Sequence, residues 1–392
     1  MKQTFYFTLL GAILACCTPM DKMETICYEV FRYETAGLSA ISDFNPRIGE
    51  FEDFLFFMDQ KQVFSVAAIK YQTVDPNGKQ VWASGLVYHP VNRKSRGVID
   101  FMPTAHLDKD GGGTDEFYAV EGLLILLGYT VIVPDLIGSG ISKELPMPFL
   151  MSENTGRVSY DMRRAAAQYL WDYFRYQLPS ETTIMGYSLG GSAALATQKY
   201  YEAHHANTVK VKEVYAGGGA YDLLAAFSAF AQTGYCVYPA IPKTILAFKH
   251  YYFDCFDRTL DLNQIFTGEL LLNYDDWFSG DYHFSAIMGM LGTDLHAYMH
   301  PDFFKPWDQH NDELKKLQPY LKENSVTEGW RPKAPIYLMH ATEDDHAPIE
   351  CAEIAVKNLR KAGAHVSYIT YPGDHLSVAD FYFMRSILRF FL

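Results

Sequence analysis

Gly186-Tyr187-Ser188-Leu189-Gly190 spell G-x-S-x-G, the spacing of a tight strand-to-helix turn that lifts a serine hydroxyl clear of a sheet edge. The flanks agree with such a turn. Thr182-Thr183-Ile184-Met185 is a short β-prone run, and Ser192 to Tyr200 is an alanine-rich helix opening. Side chains two before and two after the serine would meet neighbouring backbone, so both positions are glycine. Gly191, Ser192 and Ala193 stay small so that the helix can pack close to the strand it leaves. Such a serine is a nucleophile if a base and an acid reach it, and merely a helix cap if they do not.

Both partners follow, in the order serine, acid, histidine. A predicted strand at Ile336-Tyr337-Leu338-Met339 runs into His340-Ala341-Thr342-Glu343-Asp344-Asp345-His346-Ala347-Pro348. A carboxylate at a strand's end, before a helix opened by proline, is placed to orient an imidazole. Asp344 is the choice, Asp345 its competitor and Glu343 the third; alternatively these acids cap the helix near Pro348. The last predicted strand, Val366 to Tyr371, ends in Pro372-Gly373-Asp374 and then His375. From that loop His375 reaches back to Ser188 as the base, against a plain helix-start role beside Asp374 and Ser377. Of the remaining histidines, His340 and His346 flank the acid and line the rim, and His204-His205 close a helix. His296 and His300 are four apart like a helical metal pair, but no third ligand or flanking glutamate completes a site. No metal and no cofactor is expected.

A second segment bears on the fold. Gly128-Tyr129-Thr130-Val131-Ile132-Val133-Pro134-Asp135 continues into Leu136-Ile137-Gly138-Ser139-Gly140-Ile141-Ser142, a strand followed by a D-x-x-G-x-G-x-S loop. With Gly-Tyr-Ser-Leu-Gly-Gly and the acid and histidine loops, the chain resembles the α/β-hydrolase superfamily from about Val63 to Leu392. Within it, the chain is similar to bacterial secreted lipase/esterase-type serine hydrolases. The resemblance implies an α/β fold with a mostly parallel central sheet, flanking helices and a largely helical cap. It implies a serine carboxylesterase or lipase in which Ser188, Asp344 and His375 act through an acyl-enzyme, with Asp135 structural. The backbone N–H of Leu189 is the expected first oxyanion donor. Many relatives carry His-Gly after the third strand; here Val98-Ile99-Asp100-Phe101-Met102 leads to Pro103-Thr104-Ala105-His106. Pro103 has no N–H, so the second donor falls to Thr104 or Ala105, and His106 reads as a surface-loop residue. A serine peptidase or acyltransferase on the same triad, or a non-catalytic binding protein on this scaffold, are the competing readings.

Composition narrows the partners. The 392 residues carry a formal net charge of -13, which disfavours nucleic acid. Gly111-Gly112-Gly113 lacks the Lys-Ser/Thr of a phosphate loop and reads as a bend above the sheet. The expected partner is a small-molecule, lipid-linked or carbohydrate-linked ester. Lys2, the apolar run Phe5 to Ala15 and Ile13-Leu14-Ala15-Cys16 read as a lipoprotein-type signal with Cys16 acylated. That predicts an exported bacterial lipoprotein, anchored to a membrane in the periplasm or at the cell surface. Cys17, Cys27, Cys236, Cys255 and Cys351 are odd in number, and an oxidising compartment would permit a Cys236–Cys255 bridge.

The expected organisation is a signal segment at 1–16, a lead-in at 17–62 with a short helix near Glu52 to Met58, a core at 63–220 and 331–392, and a cap at 221–330. Val63 to Gln72 and Gln80 to Tyr88 form a hairpin around Asp75-Pro76-Asn77-Gly78. Beyond Val98, strands alternate with helices predicted at Asp115 to Leu127, Tyr160 to Tyr176, Leu189 to Ala203, Pro348 to Lys361 and Leu376 to Phe391. The segment between the strand at Val209 to Ala216 and Ile336 is too long for a plain connection. Its many aromatic residues either line a pocket above Ser188 or fill the segment's own core.

Overall fold

A computed structural model of the chain describes residues 26–37, 62–105, 113–114, 119–327 and 329–391. The expected signal segment with Cys16, the helix expected near Glu52 to Met58, and His106 lie outside them. Strands β1 (Tyr28–Gly37), β2 (Val63–Val74), β3 (Gln80–Pro90) and β4 (Val98–Met102) come first. Helix α1 (Ala119–Leu126), strand β5 (Thr130–Pro134), helix α2 (Ser152–Phe174), strand β6 (Glu181–Tyr187), helix α3 (Leu189–His204) and strand β7 (Lys210–Gly217) follow. Helices α4 (Leu223–Thr233), α5 (Ala240–Phe248), α6 (Gly268–Trp277), α7 (Phe284–Leu291) and α8 (Asp312–Asn324) form the inserted segment. Strand β8 (Ile336–Ala341), helix α9 (Ile349–Lys361), strand β9 (Val366–Tyr371) and helix α10 (His375–Phe391) complete the chain.

The nine strands form one sheet in the order β1-β2-β3-β5-β4-β6-β7-β8-β9. β1, β2, β3 and β5 pair antiparallel, and every pairing from β5 to β9 is parallel. β4 and β5 are buried along their whole length, as parallel strands covered on both faces must be. From β4 the chain steps to β5 on one side, then returns to β6 on the other. Loops leaving β4 and β6 therefore diverge at the carboxyl ends of adjacent strands, where a crevice opens in sheets of this kind.

Three elements differ from the sequence expectation. Residues 28–37, read as lead-in, add edge strand β1. Helix α2 begins at Ser152, ahead of the expected Tyr160. Asn154, Thr155 and Gly156 are weak helix formers, and packing overrides them. A Cβ at Gly156 would lie 2.3 Å from the Cβ of Tyr200, so this turn of α2 rests directly on α3. The permitted Cys236–Cys255 bridge is not formed: Cys236 is buried and donates to the Tyr238 carbonyl at 2.7 Å, while Cys255 is an exposed free thiol.

The aromatic residues of the inserted segment mostly pack on one another. Phe227, Phe230, Phe248, Phe266 and Phe303 are buried in a single cluster distinct from those under the sheet. Among the described residues no helix is long and apolar enough to cross a membrane.

Candidate active site

Ser188 joins β6 to α3 with φ 59° and ψ -125°, a positive-φ conformation that a side-chain-bearing residue adopts only where its surroundings enforce it. The surroundings are visible. The Ser188 N–H donates to the Gly217 carbonyl on β7 at 2.9 Å. A Cβ at Gly186 would lie 2.3 Å from the Gly190 carbonyl oxygen, and one at Gly190 would lie 2.4 Å from that of Met102. Gly191 meets the Gly217 carbonyl at 2.3 Å in the same test. Each glycine is thus required by backbone, which cannot give way as a flexible side chain could.

His375, the first residue of α10, brings its Nε2 to 2.9 Å from Ser188 Oγ. Its Nδ1 lies 2.9 and 3.0 Å from the two carboxylate oxygens of Asp344. These partners fix the tautomer: Nδ1–H donates to Asp344, leaving Nε2 to accept the serine proton. Asp344 Oδ1 also accepts from the backbone N–H groups of His346 and Ala347, at 3.0 and 2.8 Å. Burial pushes its pKa up, but the His375 hydrogen bond and charge outweigh that and hold the carboxyl below its usual range. Of the three acids in this loop, Asp344 meets His375. Asp345 instead lies 2.8 Å from His346 Nδ1, and the backbone N–H of Glu343 donates to the Gly373 carbonyl at 3.0 Å.

Four side chains not singled out as supports hold this arrangement. Tyr187 donates to the His375 carbonyl at 2.6 Å, and Tyr382 accepts from Gly186 N–H at 3.0 Å while donating to the Tyr215 carbonyl at 2.9 Å. His340 is fully buried, and its Nε2–H donates to the Ala347 carbonyl at 2.7 Å, 3.4 Å from Asp344 Oδ2. Burial lowers its pKa, so it stays neutral. His346 stacks on His375, with centroids 4.5 Å apart and planes 11° from parallel. Tyr187 lay inside the motif, and both histidines flanked the acid; those adjacencies were the available signal.

Leu189 opens α3, so its N–H has no acceptor within the helix and points from the positive end of the helix dipole. Thr104 and Ala105 leave β4 beside it. The Met102 and Pro103 carbonyls face Gly190, and Ala105 packs against the apolar cluster that contains Leu189. Asp135 is buried and accepts from Ser84 Oγ and Thr114 Oγ1, both at 2.5 Å, tying the far end of the β4 loop to β3. His296 and His300 are not on one helix face: His296 stacks on Phe304 at 3.9 Å, and His300 caps Pro301–Phe304. Among the described residues no three His, Cys, Asp or Glu side chains are grouped to hold a metal ion.

A serine–histidine–aspartate chain of hydrogen bonds, set at the carboxyl ends of a mostly parallel sheet, defines the α/β-hydrolase architecture. The chain belongs to the alpha/beta hydrolase family, whose model matches residues 106–381. Its fold is similar to that of a protein from Legionella pneumophila subsp. pneumophila regarded as a hydrolase, with a TM-score of 0.75 and 18% identity, covering 92% of this chain and 97% of that one. It is similar to the rice cell wall degrading esterase LipA from Xanthomonas oryzae, with a TM-score of 0.74 and 20% identity over 92% and 95% of the two chains. The closed state of Candida antarctica lipase A gives a TM-score of 0.59 and 16% identity over 89% of this chain and 77% of that one. No curated protein matches the chain in sequence.

Proposed function

We propose that the protein is a serine carboxylesterase or lipase that cleaves carboxylic ester bonds through an acyl-enzyme on Ser188. The observation that carries this reading is the 2.9 Å contact from Ser188 Oγ to His375 Nε2, with Asp344 on the opposite ring nitrogen. His375 takes the serine proton as Oγ bonds to the ester carbonyl carbon, and Asp344 stabilises the imidazolium. The Leu189 N–H, with Thr104 or Ala105, meets the oxyanion; one such donor typically lowers the barrier by about 3 kcal/mol. The C–O bond to the alcohol then breaks, and the leaving oxygen takes the proton from Nε2. Water repeats the sequence and releases the acid. The inserted segment acts as a cap that excludes water from the reacting atoms. Export and acylation of Cys16 belong to the same proposal, supported by the residues around Cys16.

Hydrolysis of p-nitrophenyl esters from acetyl to long acyl, with Ser188→Ala as control, tests the reading. Turnover lost in the variant is the expected result. A folded protein with neither turnover nor labelling by a fluorophosphonate overturns it in favour of a binding protein, and labelling without ester turnover points to a peptidase or acyltransferase.

A further inference from the structure

We propose that His346 is a positioning residue for His375, holding the base imidazole flat and tying it to the inserted segment. The proposal rests on the esterase reading above. His346 lies almost parallel to His375, at 4.5 Å and 11°. Its own Nδ1 is held by Asp345 Oδ1 at 2.8 Å. The loop therefore presents two carboxylate–imidazole pairs side by side, Asp344–His375 and Asp345–His346. The inserted segment touches the second pair twice. The Val237 N–H donates to the Asp345 carbonyl at 3.2 Å, and the Tyr238 ring stacks on His346 at 6.1 Å and 26°. The His346 side chain is only 13% exposed. It cannot leave the stack without breaking the Asp345 bond or parting from Tyr238.

The consequence is electrostatic as well as steric. When His375 takes the serine proton, a neutral His346 offers its ring face to the new cation, whereas a protonated one repels it. The groups facing His346 are Asp345 and Asp344 from its own loop, Asp374 and His375 from the turn into α10, and the Tyr238 phenol from the inserted segment. Burial, then the neighbouring His375, hold its pKa below the ordinary histidine value, while the carboxylates oppose them. A neutral His346 beside His375 is therefore the state that suits the moment at which His375 carries the serine proton.

The test is kcat and KM for p-nitrophenyl acetate at about pH 7.5 in the full chain, in His346→Ala and in His346→Phe, which keeps a flat ring. His346→Ala is expected to lose about tenfold in kcat at unchanged KM, a loss that Phe restores to within about twofold. His346→Gln, which has no flat ring, is expected to show the same loss and serves if the Ala variant does not fold. An Ala variant that keeps the wild-type kcat, or a Phe variant that does not recover it, overturns the proposal. The rate of fluorophosphonate labelling of Ser188 separates it from the esterase reading. Labelling slowed in Ala and restored in Phe, without ester turnover in the full chain, sinks that reading alone; ester turnover with equal labelling rates in Ala and the full chain sinks the role of His346 alone.

Discussion

Tyr187, the residue immediately before Ser188, donates its hydroxyl proton to the backbone carbonyl of His375 at 2.6 Å. The Ser188 turn and the His375 loop are thereby joined by a bond that bypasses the Ser188–His375 contact. The Tyr187 ring also lies 5.1 Å from both the His375 and Tyr382 rings. Tyr187→Phe keeps those contacts and removes the bond. It is expected to cost about 1 kcal/mol of stability and roughly tenfold in kcat, with KM little changed. Urea denaturation and steady-state kinetics on the same preparation check both.

Asp344 fixes the His375 tautomer, and Asp345 is engaged with His346. Asp344→Asn should therefore lower kcat by about 10⁴-fold, because an amide N–H facing Nδ1 favours the wrong tautomer. Asp345→Asn should leave most of the activity. Equal losses in the two variants would show that the acid has been assigned to the wrong residue.

Gly190 has no room for a methyl group, since the Met102 carbonyl oxygen would lie 2.4 Å from it. Gly190→Ala must push β4 away from α3. A loss of about 1–3 kcal/mol is expected, together with slower fluorophosphonate labelling of Ser188. Gly78→Ala has open space around its Cβ but a φ of +79°, so it should show the backbone strain alone and leave labelling intact.

Acid sensitivity should begin in the histidine range. Burial pushes His89 down to about 4 and also lowers His340. Below the ordinary value near 6.5 the unfolded chain takes up protons that the folded chain refuses. Stability contributed by these neutral rings is complete above about pH 6.5 and is lost as the pH falls toward their folded values. For His89 the full loss is about 3 kcal/mol. Asp344 acts lower: its depressed pKa contributes stability above the ordinary carboxylate value near 4, lost as the pH falls through the folded value. Tm is expected to fall steadily between pH 6.5 and 4.5, less so in His89→Gln. A flat Tm over that interval contradicts it.

The parts of the site that obey local rules were legible in the chain. G-x-S-x-G placed Ser188 between a strand and a helix because glycine spacing reports backbone clearance within a few residues. The Asn77-Gly78 turn and the alternation of strands and helices are local in the same sense. Asp344 was the choice and Asp345 its competitor, since both are adjacent to one turn and both are capping types. Contact with His375, 31 residues away in sequence, separates them.

What the amino-acid order determined by itself was the inventory: a serine on a strained turn, acids and a histidine after later strands, and an acidic net charge. The tertiary structure decided which of these meet. Ser188 and His375 are 187 residues apart and become neighbours because parallel pairing from β5 to β9 brings the carboxyl ends of β6, β8 and β9 to one edge. The His346–His375 stack, the Tyr187–His375 bond and the early start of α2 have no periodic signature. Each depends on the separation and tilt of elements that are distant in the chain, and those are set by packing the whole core.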